Sequence, residues 1–159
     1  MRLAPHSLSL CAMNTMNENH VSIKLFEFAG SPGELSPRLK LEPTRTALKG
    51  EESGVGPEHL RVKRPYPWNL WEYRWTRNEE RFIGDLIEEF MVQIVEPRMD
   101  DLRDVIATCS AELSVVQYYY TGCNPGVHFS RKTLNTLAYI GAETDVDIYC
   151  LADDDADHA

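Results

Sequence analysis

Along this chain, short stretches in which apolar and polar residues alternate are interspersed with stretches that follow the wider spacing of helices. In "HVSIKLFEF", Val21, Ile23 and Leu25 fall on one side and Ser22 and Lys24 on the other, which predicts a half-buried strand. "SPGELSPRLKL" follows, with Ser31 as N-cap, Pro32 at the first helical position and Glu34 closing a capping box; Pro37 keeps this helix to one or two turns. "EPTRTALKGE" reads as an extended segment and turn. Gly50 to Pro67, punctuated by Gly54, Gly56, Pro57 and Pro65, reads as a long loop.

Beyond that loop the pattern sharpens. Trp71, Tyr73 and Trp75 alternate with Glu72 and Arg74 in "NLWEYRW", which predicts a strand with an aromatic face and a charged one. Phe82, Ile83, Leu86, Ile87, Phe90, Met91, Ile94 and Val95 form one wide apolar helical stripe. Pro97 must end or kink it, and Met99, Leu102, Val105 and Ile106 resume helical spacing, so two helices in series are expected. "AELSVVQYYY" is a strand by its β-branched and aromatic content. "SRKTLNTLAYIG" is a helix capped by Ser130 and stopped by Gly141, and "ETDVDIYC" is a final strand with Val146, Ile148 and Cys150 on one side. Helices connect strands without a dominant run of hairpins. The expected architecture is therefore α+β, in two layers, with a four- to five-stranded mixed or antiparallel sheet and helices on one face.

Length and composition fit that picture without changing it. A chain of 159 residues suits one domain with a core of its own. Residues 1–18, which mix Asn, Met, Ser and Thr without periodicity, predict a disordered leader; 19–151 predicts a single domain and 152–159 an acidic tail. Met1, Met13 and Met16 are all candidate translation starts. No stretch approaches the roughly 18 apolar residues of a membrane helix, and His6, Ser7 and Ser9 interrupt any secretory h-region. Four cysteines without CxxC spacing predict reduced thiols in a cytoplasm.

Charge is unevenly placed. The net charge is −9, yet Arg38 to Arg81 carries +3 and the remainder −12. The overall balance argues against a nucleic-acid partner. The basic, aromatic run "RVKRPYPWNLW" instead suggests protein contact through Arg61, Arg64, Tyr66 and Trp68, because Arg, Trp and Tyr dominate interface hot spots.

Candidate chemistry is thin. Cys123 and His128 could meet across a loop as nucleophile and base, with no evident group to orient the base. Asn124, Pro125 and Gly126 are equally well explained as turn formers, and Ser130 as a cap. A zinc site needs a second close ligand pair, which the spacing lacks, so no metal and no cofactor is expected. Asp145 and Asp147 share a strand face that reads as solvated. Phosphate loops, GxSxG and HExxH are absent.

"LEPTRTALKGE", then "NLWEYRW", then "NPGVHFSRKTLNTLAYIGAETDVDIYC", in that order, resemble the bacterial domain of unknown function 4279 over about residues 20 to 151. The resemblance implies a bacterial single-domain α+β protein and implies no reaction. The leading expectation is a non-catalytic cytoplasmic binding or interaction protein, immunity-like or accessory. The alternative is a small enzyme using Cys123 and His128, and oligomeric state is left open.

Overall fold

The computed structural model describes residues 17–55, 62–78, 81–120 and 126–151, apart from the side chains of 53–55, 62 and 63. Strand β1 (Glu18–Phe26) begins inside the stretch read as leader, and buried Asn17 just before it accepts the Tyr120 N–H at 3.1 Å. Residues 1–16 of that leader, and the acidic tail, lie outside the described residues. A 3-10 turn (Pro32–Glu34) leads into α1 (Leu35–Leu39), and the predicted capping box is formed, with Ser31 Oγ accepting from Gly33 N. Then come β2 (Arg45–Ala47), β3 (Glu52–Val55), β4 (Val62–Pro65) and β5 (Leu70–Asn78).

The segment read as a long loop from Gly50 to Pro67 thus contains an antiparallel pair, β3 with β4, in register from Glu52 opposite Pro65 to Val55 opposite Val62. Its strands are short and carry Gly54 and Pro65, so no two-residue period stands out above the punctuation. The turn between them, residues 56–61, lies outside the described residues.

The helical half contains α2 (Ile83–Phe90), a π-helical turn (Met91–Val95), a 3-10 turn (Glu96–Arg98) and α3 (Met99–Ile106). Strand β6 (Ser110–Tyr119), α4 (Arg131–Ile140) and β7 (Glu143–Cys150) complete the chain. Ser130 Oγ accepts the Thr133 N–H at 3.1 Å, and Gly141 ends α4 at φ +80°, a conformation that costs other residues steric strain.

The sheet order is β2-β5-β1-β6-β7, antiparallel throughout except for the β6–β7 pair, which α4 joins by a crossover. The fold is α+β, a mixed open sheet with helices packed against one face. Val21, Ile23 and Leu25 line up with Trp71, Tyr73 and Trp75 on β5 and with Ala111, Leu113 and Val115 on β6. These side chains meet Ile83, Leu86, Ile87, Phe90, Leu102, Leu137 and Ile140 in one core. Trp75 sits edge-on to Phe90, with ring centroids 5.3 Å apart.

Pro97 removes one helical N–H, and the chain responds by loosening into the π-helical turn before tightening again. Arg98 serves the exposed carbonyls: its guanidinium donates to Ile94 O at 2.9 Å and to Leu39 O at 3.1 Å. One side chain therefore joins the C-terminus of α1 to the bend in the helical arm. We expect Arg98→Ala to cost about 2 kcal/mol, because charge-assisted bonds to two carbonyls and the packed stem vanish together. Arg98→Lys should recover only part of it, and urea unfolding of the two variants checks both.

Candidate functional site

Among the described residues the helices cover only the Val21, Ile23 and Leu25 side of the sheet, so side chains at the alternate positions form a separate polar face. Strand register lines up Arg45, Glu72, Lys24, Glu112 and Glu143, one from each strand in spatial order, as a row of charge across the whole sheet. Lys24 Nζ lies 2.8 Å from Glu112 Oε1. Glu72 is 1% exposed; its Oε1 accepts from Arg74 Nη2 at 2.8 Å and Nε at 3.0 Å. Its Oε2 has no hydrogen bond among the described residues, with Arg45 Nη1 3.8 Å away. A buried carboxylate depends on such cations, since its lost hydration is returned only by them.

The next row holds Arg74, Ser22, Ser114 and Asp145. Both serines are buried, which makes the centre of the face low and small-sided between flanking charges. In the row beyond, His20 Nε2 lies 2.8 Å from Glu18 Oε1 and Nδ1 lies 2.9 Å from Thr76 Oγ1. A carboxylate only accepts, so Nε2 carries the proton and Nδ1 accepts from the threonine hydroxyl. Burial first, and then the Arg74 charge, hold the His20 pKa below its ordinary 6.5.

At the β2 corner, two of the residues singled out by sequence join this face. Arg45 donates to the Tyr66 hydroxyl, and its guanidinium carbon lies 5.6 Å from the Tyr66 ring centroid. Trp68, 40% exposed, rests against Phe26 with ring centroids 5.7 Å apart. Asn69 ties this corner together by donating to Gly30 O at 2.9 Å and accepting from Lys49 N at 2.9 Å. Arg64 is exposed on β4, and Arg61 lies outside the described residues. Sequence reasoning missed Lys24, Arg45, Glu72, Arg74 and Glu112. Each stood at a polar position of an alternating strand, but only long-range register brings them into line.

The Cys123 and His128 pair is not assembled among the described residues, because Cys123 lies outside them. His128 is exposed, and its backbone carbonyl passes close to α2, where a Cβ on Gly84 would lie 3.3 Å from it. The N-terminus of α4 is already served by Glu88 of α2, whose carboxylate accepts from Thr133 Oγ1 at 2.6 Å. Bonds from Ser130 and Thr133 hold the Glu88 carboxyl below its usual range. Among the described residues no three His, Cys, Asp or Glu side chains converge as metal ligands, and no helix is long and apolar enough to cross a membrane.

A cleft of about 630 Å³ opens at the other end of the sheet, lined by Glu27, Arg103, Cys109, Tyr139 and Glu143 among others. Its thiol is quiet: Cys109 Sγ donates to Val105 O at 3.4 Å, and burial pushes its pKa up.

The family model described as "Domain of unknown function (DUF4279)" matches residues 17–151. No curated protein and no solved structure matches the chain.

Two measurements follow from these environments. Because His20 is neutral in the fold and its folded pKa lies below 6.5, its contribution to stability is full above that pH and declines as pH falls toward the lowered value. Wild type should therefore lose more stability than His20→Gln between pH 8 and pH 5.5, read by urea unfolding at each pH. In native alkylation followed by peptide mass spectrometry, exposed Cys150 should react about tenfold faster than Cys109.

Proposed function

We propose that this chain, which belongs to the family described as Domain of unknown function (DUF4279), is a non-catalytic binding or interaction protein of the cytoplasm, immunity-like or accessory in role. One observation carries the reading. The helix-free face of the sheet bears an ordered row of charge, from Arg45 to Glu143, cornered by Tyr66 and half-exposed Trp68. Interfaces of this kind use aromatic and arginine anchors for energy and flanking charge for register and specificity. The rigid β-ladder fixes the spacing of the charges before any partner arrives, which lowers the ordering cost of association.

The partner suited to this face is a protein surface with complementary alternating charge. Nucleic acid fits poorly, because the row holds as many carboxylates as cations or more and the chain is acidic overall. The thiol in the cleft is half-buried with its pKa raised, which supports a role without chemistry there.

The test is quantitative affinity capture with the full chain as bait. Replacing Arg61, Arg64, Tyr66 and Trp68 together by alanine should weaken recovery of a specific partner about tenfold or more. The double exchange Lys24→Glu with Glu112→Lys, which keeps that ion pair but reverses two of the five charges in the row, should abolish it as well. Undiminished recovery with both variants, each folded by circular dichroism, would overturn the assignment.

A further inference from the structure

We propose that the open edge of β7 is a second docking site, which takes up an extended segment of a partner protein whose lysines or arginines alternate with apolar residues. It adjoins the charge row, whose last member is Glu143, but it is formed by the open backbone edge of the strand and does not depend on that reading. Among the described residues, β7 pairs only with β6, in parallel, and all its residues from Glu143 to Cys150 are exposed. Its other side is the end of the sheet among the described residues.

The backbone direction can be read from one bond. Leu151 N donates to Tyr119 O at 2.7 Å, so Leu151 turns its N–H toward β6. Backbone groups alternate sides along a strand, so Asp145, Asp147 and Tyr149 face β6 as well. Thr144, Val146, Ile148 and Cys150 therefore point their N–H and C=O groups to the open side. An added strand finds a ready ladder there.

Side chains select what it can be. Val146 and Ile148 are on the core side of the sheet, yet they remain 38% and 37% exposed because the helical layer does not reach them. Glu143, Asp145 and Asp147 occupy the polar side, opposite Glu112, Ser114 and Val116 of β6. None of the three carboxylates forms an ion pair among the described residues, and Glu112 is already paired with Lys24. The sequence beyond Leu151 adds four further aspartates and no lysine or arginine. An incoming strand that sets cations against this acidic row and aliphatic groups against Val146 and Ile148 satisfies both sides at once. A second copy satisfies the apolar side alone: antiparallel pairing about Val146 sets Asp145 of one chain against Asp147 of the other, and like charges directly opposed are destabilising.

Fluorescence polarisation on the full chain tests this with three labelled eight-residue peptides: one alternating lysine and valine, one alternating glutamate and valine, and one of lysine and valine in blocks. The alternating basic peptide should bind about tenfold or more tighter than the other two, since two or three cross-strand charge pairs and the apolar register act together. Ile148→Pro removes an outward N–H while leaving the β6 ladder its bonds, and should abolish that binding. Asp145→Lys with Asp147→Lys should reverse the preference toward the glutamate peptide. If Ile148→Pro unfolds the chain, the charge reversal alone decides. Equal binding of the blocked peptide, or unchanged binding by the variants, would sink the proposal. So would a concentration-dependent dimer in sedimentation that the Asp145→Lys, Asp147→Lys variant alters, since that assigns the edge to a second copy.

Discussion

Among the described residues a sheet of five strands is covered by helices on one side only, and most of what is distinctive in this molecule answers that constraint. The covered side buries aliphatic and aromatic side chains, led by Trp71 and Phe90, and supplies the hydrophobic stabilisation. The uncovered side must carry groups that stay polar, and strand alternation delivers them automatically at every second residue. What alternation does not dictate is their order. Register across the strands sets Arg45, Glu72, Lys24 and Glu112 in alternating sign, so neighbouring charges attract and Glu72 can be buried without a helix above it.

The helical cover itself is built around an interruption. Pro97 prevents one continuous helix, and the π-helical and 3-10 turns redirect the arm so that Leu86 and Phe90 on one part and Leu102 and Val105 on the other reach the same core. Arg98 makes the bend tolerable by taking carbonyls from the arm and from α1. The sequence feature that breaks the helix and the residue that repairs the break are adjacent.

Local pattern carried much of this. The alternation of Val21, Ile23 and Leu25 and of Trp71, Tyr73 and Trp75 located the two central antiparallel strands, and Ser31, Ser130 and Gly141 marked helix ends by local hydrogen bonding and φ alone. The β3–β4 pair escaped because four-residue strands with a glycine or proline have too few positions to show a period. The charge row was illegible for a different reason. Lys24 and Glu112 are 88 residues apart, so their pairing is a property of register and of no local window. Tyr66 and Trp68 were flagged by composition, and the corner they share with Arg45 and Phe26 depends on the same long-range order.

The placement of β1 at the centre of the sheet also bears on how the chain acquires its shape. Its two neighbours are β5 and β6, so Val21 pairs with Trp75 and with Val115. During synthesis the first described strand therefore waits until residue 78 of 159 for its first flank and until residue 119 for its second, holding a β-branched, aliphatic segment unpaired meanwhile. Folds that close such distant pairings first pay a loop-closure entropy and gain their contacts late. The same strand that organises the finished sheet is thus a segment exposed to mispairing in the nascent chain, and Lys24 within it is a charge of the kind that opposes pairing with copies of itself.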